Sequence, residues 1–240
     1  MLVSCLGDIM LDVIVDVPGG LVPDDDSPAH ITFAAGGQAA NVAAWVTAFG
    51  GLARLFGPRA QTGPGHLVDE ALSAAGIEVH GPLTGRAGAV MSLVADGYRS
   101  LASDPGAPEW LDAVRPGAWL ADADWLFVSG YALLRAAHPE HVLEVAEVAR
   151  AAGTKVAVDL SSAAMIEDFG PPRFRELWQG LQPAVVLANE QEWEATSWGV
   201  SEHVGAFGAG GTSVLAIKQG SRGCTFVIDG ITDHRPPVYG

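Results

Sequence analysis

Residues 34–44 read AAGGQAANVAA, two adjacent glycines followed four residues later by an asparagine. The short apolar run HITFAA precedes the glycines, and an alanine-rich segment with helical character runs over Gly37–Phe49. The stretch is therefore a strand-to-helix junction. Glycines at such a junction let backbone pass close to a neighbour or turn with φ > 0. The first helical turn leaves peptide N–H groups unpaired and open to polar oxygens. Asn41 stands about one turn into the helix and can point back to the same place. Gly36, Gly37 and Asn41 together make a place to hold a polar ligand, with a tight packing turn as the plainer alternative for the glycines.

Outward from this junction the chain falls into a regular beat. Upstream, LVSCLG is a nearly continuous apolar run, as a strand covered on both faces would be, and DVIVDV alternates. Downstream come LARLFG (strand), HLVDEALSAAG (helix), IEVHG (strand), DWLFVSG (strand) and PEHVLEVAEVARAAG (helix). TKVAVDL, AVVLAN and TSVLAIKQG follow as strands, separated by the helical segments PPRFRELWQGL and EQEWEATSWG, and CTFVIDG and ITDHRPP read as late strands. Repeated β–α units with strands this apolar predict an α/β/α sandwich around a mostly parallel central sheet. Two parts break the beat: residues 11–35, and a hairpin over 88–102 that turns at Ala95-Asp96-Gly97. They are expected to form a small sheet standing off the main one, within a single domain spanning 1–240. Ligands of such folds bind beyond the carboxyl ends of the strands, where Ser129, Gly130, Asp159, Asn189 and Gly220 fall.

Composition narrows the partners. The 240 residues are 49% hydrophobic, enough for a sizeable core. Asp and Glu total 28 against 13 Lys and Arg, a net charge of −15 that argues against nucleic acid and anionic membrane as partners. A phosphate ligand remains possible, because helix N-termini bind one without a basic surface. Cys5 and Cys224 lie far apart in apolar runs and read as buried free thiols. The acidic N-terminal stretch does not resemble a signal peptide, and no run is long enough to span a membrane, so a cytoplasmic setting is expected.

Several residues stand out chemically. Asp8 and Asp12 lie at and after the end of the first strand, where a carboxylate can accept hydroxyl hydrogens of a polyol or simply cap a turn. Asn189 ends an apolar strand with Glu192 three residues on, the spacing of a capping box and equally of a pair that positions a hydrated cation or a phosphate. Lys218-Gln-Gly-Ser-Arg-Gly223 is a mobile loop able to surround phosphates. The chain has neither the dinucleotide fingerprint nor the Walker phosphate loop. The histidines have no metal-ligand spacing, and the tryptophans read as packing residues. The acidity favours an uncharged acceptor molecule; Arg99, close to the small sheet, is the exception that could meet a carboxylate or phosphate, with an exposed strand residue as the favoured alternative.

Taken in order, GDIMLD, GGQAAN, DGYRSLASDPGA, VDLSS, ANEQE and IKQGSRG resemble the ribokinase-like, PfkB-type carbohydrate kinases, over essentially the whole chain. The resemblance implies transfer of the γ-phosphate of ATP, with Mg²⁺, to a hydroxyl of a sugar, nucleoside or similar small molecule. It implies a large α/β domain with a small β-sheet lid made from about 11–35 and 88–102; an exposed apolar face on that lid would be a homodimer contact. Asp12, Gly36, Gly37 and Asn41 match the substrate-binding positions, and Tyr131 falls where a pocket wall would be. Asn189 and Glu192 match the pair that organises metal, water and phosphate. Lys218 and Gly220 fall where the family contacts nucleotide.

Two departures from the family pattern stand in the chain. PRAQTGPG replaces a Gly-Asp-Asp-like segment, so loop contacts there should differ. The Gly-Ala-Gly-Asp segment that supplies the family's general base has no counterpart in residues 1–240. Asp229 and Asp233 come late but lack a glycine-rich helix start, and no residue here inherits the catalytic role. The expectation is either a portion of a longer kinase chain or a catalytically inactive sugar- or nucleoside-binding protein. An unrelated α/β oxidoreductase is the remaining alternative, weakened by the absent nucleotide fingerprint.

Overall fold

A computed structural model describes residues 1–95, 97–197, 214–228 and 230–237. Asp96, Trp198, Gly199 and Asp229, which the sequence reading places in turns and at a helix end, lie outside the described residues. The chain opens with β1 (Leu2–Leu6) and leaves at once into β2 (Met10–Val17) and β3 (His30–Gly36). Helix α1 (Gln38–Ala48) brings it back to β4 (Leu52–Phe56). Then come β5 (Arg59–Ala60), α2 (Gly63–Ala74), β6 (Glu78–His80) and β7 (Leu83–Thr84). A second excursion, β8 (Gly88–Ala95) and β9 (Tyr98–Asp104), precedes β10 (Trp125–Ser129). The remainder is α3 (Gly130–Leu134), α4 (Glu140–Ala151), β11 (Lys155–Asp159), α5 (Ala163–Phe169), α6 (Pro171–Leu181), β12 (Val185–Asn189), α7 (Glu190–Ala195), β13 (Val214–Lys218), β14 (Cys224–Ile228) and β15 (Ile231–Arg235).

Nine strands form the central sheet in the order β15-β14-β13-β12-β11-β10-β1-β4-β6. All pairs are parallel except the β13–β14–β15 meander at one edge. Alternation along β1 divides the interior. Val3 and Cys5 face a core with Ala39, Ala43, Val68 and Leu72 from α1 and α2. Leu6 faces the other core with Leu133, Val142, Ile166 and Phe174 from the later helices. Both faces of the sheet are thus covered, which is why its strands read as unbroken apolar runs. Burial pushes the Cys5 thiol up to about 12, so it is inert at neutral pH. Cys224 departs from expectation. It lies on the edge meander and is only half-buried.

The off-beat segments form a separate four-stranded sheet, β3-β2-β8-β9, with β2–β8 parallel and the outer pairs antiparallel. Helix α2 begins three residues earlier than its apolar pattern indicates. The Thr62 side chain caps it by accepting from Gly65 N–H at 3.3 Å, and Pro64 sits in its first turn. Two short helices were not legible as such: α3, which starts directly at the end of β10, and α5, capped by Ser162. Trp110, Trp119, Trp178 and Trp193 are buried in the core, as expected of packing residues. Among the described residues no helix is long and apolar enough to cross a membrane.

Candidate active site

The strand order reverses at β1. One connection leads to β4 and β6, the other side is built by β10 onward. The crevice beyond the carboxyl ends of β1 and β10 is where such folds place ligands. Gly7 and Asp8 stand there from β1, and Ser129, Gly130 and Tyr131 from β10.

The Gly36–Gly37 turn packs into this crevice. Gly37 has φ 97°, and a Cβ on it would strike the Asp8 carbonyl oxygen. A Cβ on Gly36 would strike the Asp12 carboxylate. The two glycines therefore let the turn lie directly against the Asp8 backbone and the Asp12 carboxylate. Gly37 is the N-cap of α1 and has no side chain to donate, so the first turn relies on its carbonyl, which accepts from Asn41 N–H at 2.9 Å. Asn41 itself is exposed, one turn in, and no hydrogen bond among the described residues fixes its side chain. Gln38 does more than sequence reading assigned to it. Its Oε1 accepts from Ser129 Oγ and Ser161 Oγ, each at 2.6 Å, and ties the start of α1 to the ends of β10 and β11.

Asp12 lies on β2 level with Ala34 of β3 and Val90 of β8. No hydrogen bond or ion pair among the described residues reaches its carboxylate. Burial raises its carboxyl above the usual range, and the Arg99 guanidinium pulls it partly back. Asp8 is more deeply buried and is raised for the same reason, with Arg135 as the opposing charge at 3.9 Å. Arg135 also lies 4.4 Å from the centre of the Tyr131 ring. The Tyr131 hydroxyl is raised by burial, and Asp8, Glu192 and Asp159 all act on it as neighbouring negative charges. Tyr131 thus stands between the β1 end of the crevice and the β11–β12 end. Arg135 was missed from sequence; its signal is the i, i+4 spacing from Tyr131 on a helix.

Asn189 and Glu192 form a complete capping box. Asn189 N–H and Nδ2–H donate to Glu192 Oε2 and Oε1, both at 2.7 Å, and Glu192 N–H donates back to Asn189 Oδ1 at 2.8 Å. Burial raises the Glu192 carboxyl, against the bond from the Asn189 peptide; Asp159 pushes in the same upward direction and Lys218 opposes it. Lys218 Nζ donates to the buried Asp159 Oδ2 at 2.7 Å, bridging β13 to β11 across the strand that carries Asn189. Gly220 opens a single turn, Gly220–Arg222, with a left-handed φ of 56° and open space where a Cβ would stand. Beside it Gln219, Arg222, Thr225, Thr232 and His234 line an open cavity of about 680 Å³. Glu190 engages both Gln219 and Arg222. Asp233 belongs to β15 and pairs with Arg235 at 2.8 Å, on the strand at the edge of the sheet. No group of acidic, His or Cys residues among the described residues is arranged to hold a metal ion directly.

The architecture recurs in solved structures. Adenosine kinase from Sinorhizobium meliloti superposes with a TM-score of 0.77 at 21% identity, over 99% of this chain and 80% of that one. A carbohydrate kinase from Agrobacterium tumefaciens gives 0.74 at 18%, over 96% and 74%. Ribokinase from Thermotoga maritima gives 0.72 at 20%, over 100% and 79%. At these identities the likeness establishes the fold: a ribokinase-like α/β architecture with a mostly parallel central sheet and a smaller accessory sheet. No curated protein matches the sequence. The profile of the pfkB family carbohydrate kinases matches residues 1–239, and the chain belongs to that family.

Proposed function

We propose that this protein is an ATP-dependent phosphotransferase that phosphorylates a hydroxyl of a sugar or sugar-like small molecule. The observation that carries the reading is Asp12: a half-buried carboxylate without a donor among the described residues, set against a glycine turn at the crevice where the sheet order reverses. A carboxylate so placed has lone pairs for two or more hydroxyl hydrogens. The missing Cβ of Gly36 gives it room. Tyr131 walls the crevice on the β10 side, and Asn41 stands at the mouth of the turn. The four-stranded sheet carries Asp12 and acts as a lid, so its closure excludes water as the substrate is held.

The residues present fit a nucleotide with its cation. Lys218 spends one N–H on Asp159 and keeps two, half-exposed, for phosphate oxygens. The open Gly220 turn and the adjoining cavity offer the space of a nucleoside. Both Glu192 oxygens accept from Asn189, which supports a Glu192 that acts on the cation through water. Mg²⁺ bound with ATP supplies neutralisation of charge on the phosphoryl oxygens. What this chain contributes is placement: Asp12 orients the acceptor hydroxyl, and the rigid Asn189–Glu192 pair fixes the waters on the phosphate side.

A coupled ADP-release assay with Mg·ATP and a panel of sugars and nucleosides tests the reading. Substrate-dependent release is expected, for at least one sugar-like acceptor, from a chain that carries the family's Gly-Ala-Gly-Asp segment, and not from residues 1–240 alone. Release that no acceptor stimulates would defeat it. We also infer a homodimer through the lid, whose outer face leaves Ile31, Phe33 and Met91 open to solvent.

A further inference from the structure

We propose that the substrate is a hydroxy acid in the broad sense, a polyol that also carries a carboxylate or phosphate, with Arg99 receiving the anionic group while Asp12 takes a hydroxyl. The inference rests on the kinase reading of Asp12 and adds the charge of the acceptor.

Composition alone favours an uncharged acceptor and leaves Arg99 as a solvent-facing strand residue. Arg99 is indeed exposed, and the register of the accessory sheet shows which groups share its face. Arg99 pairs with Val94, and Val94 with Asp16. Ser92 pairs with Ile14, and Val90 with Asp12. Alternation along the strands therefore puts Asp12, Ser92 and Arg99 on one face of the sheet, with Arg99 two rows beyond Asp12. Its ordinary partner would be Asp16, an exposed carboxylate in its own row. The side chain instead runs back toward Asp12. Arg99 Nε donates to Ser92 Oγ at 2.8 Å, and Ser92 is only 5% exposed. The guanidinium charge is felt at Asp12, yet no ion pair joins the two.

Pinning an arginine by Nε orients its plane and leaves both Nη groups free. Among the described residues nothing accepts from them. A free guanidinium fork and a free carboxylate then share one face of the sheet without touching. A ligand that bridges them needs hydrogen donors at one end and a pair of acceptors at the other. A neutral sugar satisfies the first condition and offers the fork only single, weakly accepting oxygens. A carboxylate or phosphate matches the fork in two parallel, charge-assisted bonds. The protein's overall negative charge does not oppose this at close range, since it is screened over about 8 Å at physiological salt.

Calorimetric titration of the full protein with matched sets decides the matter: ribose, ribonate and the terminal phosphate ester of ribose, and the same trio built on glucose. In at least one set a charged member should bind about tenfold or more tighter than its neutral parent. Arg99→Met should abolish that preference by weakening the charged members at least tenfold more than the neutral parent, and Arg99→Lys should restore part of it. Which charged member gains distinguishes carboxylate from phosphate. If neutral sugars bind in an Asp12-dependent way and no charged member improves on them, or if the preference survives in Arg99→Met, the inference fails and the kinase reading stands. If no member binds, or binding ignores Asp12→Asn, both fail.

Discussion

At Glu192 both carboxylate oxygens already accept hydrogen bonds from Asn189; at Asp12 neither oxygen has a donor among the described residues. Both groups are shielded from water, and burial raises both. Their scaffolds account for the contrast. Glu192 stands in the first turn of α7, where peptide N–H groups have no helical partners and a side chain three residues in can satisfy them. Asp12 stands within a strand whose backbone bonds go to β3 and β8, which leaves the side chain to itself. One region of the crevice is finished by the protein alone. In the proposed function, the other is finished when a ligand supplies hydrogens.

The largest effect should come from the glycine turn that lies against Asp8 and Asp12. Gly37→Ala forces an L-residue into φ 97° and drives a Cβ into the Asp8 carbonyl, which is backbone and cannot swing away. A loss of about 2–3 kcal/mol of stability is expected, measured by denaturant unfolding. Gly36→Ala meets only the Asp12 carboxylate, a side chain that can rotate, so it should cost less stability and abolish ligand binding instead. Equal stability losses at the two positions would break the contrast, because Asp12 would then be as rigidly held as backbone.

The finished region was the more legible one. Asn189-x-x-Glu192 after an apolar strand is a local pattern, and the structure contains the capping box that pattern specifies. The central sheet was legible for a related reason: strands covered on both faces carry their environment in their composition. The accessory sheet could be anticipated only as a break in that beat. What escaped were contacts between residues distant in sequence. Gln38 bonding to Ser129 and Ser161 spans the fold, as do Lys218 with Asp159 and Arg135 with Asp8. Arg99 is the exposed strand residue it looked like, but its bond to Ser92 across the hairpin was not legible. Lys218, read from its loop as a nucleotide contact, donates to Asp159, a bond its loop did not announce.

Asp12→Asn should come next in size. It keeps the shape and removes the charge, so acceptor affinity should fall by about 1.5–3 kcal/mol per charge-assisted bond lost, read by titration. Stability should move the other way. Burial raises the folded carboxyl above its unfolded value of 3.8, so the folded state holds its proton longer than the unfolded chain does. Ionisation therefore costs stability as pH rises from 3.8 through the raised folded value, and the cost is fully present above it. Asp12→Asn should melt higher than the parent at neutral pH and show no difference below pH 3.8. A lower melting temperature at neutral pH would mean that Asp12 has an internal partner after all.

Within the finished region, Asn189→Ala removes the cap acceptor and should cost about 1 kcal/mol. Glu192→Gln can still close the box through its amide oxygen, so its stability loss should be smaller than that, while turnover falls because the charge that orders waters is gone. Melting curves and initial rates on the same preparations separate the two roles. Unchanged rates in Glu192→Gln would reduce the pair to a helix cap.

The smallest change in fold stability is expected on the outer face of the accessory sheet. Phe33 and Ile31 are 58% and 57% exposed, on the face whose inner end, at Leu11 and Val13, packs against the α1–α2 core. Apolar side chains this open contribute little to the protomer, so Phe33→Ser should shift its unfolding free energy by no more than about 0.5 kcal/mol. A dimer through this face would bury the same atoms, and each buried phenylalanine is then worth roughly 1.5–3 kcal/mol. A two-fold contact counts the residue twice, so a substitution nearly silent in the protomer should weaken association severely. Sedimentation of the parent and of Phe33→Ser over a concentration series reads this directly. A parent dimer that Phe33→Ser dissociates would assign the outer face to self-association. A parent that remains monomeric at every concentration would remove the dimer, leaving the inner face and its Asp12 untouched.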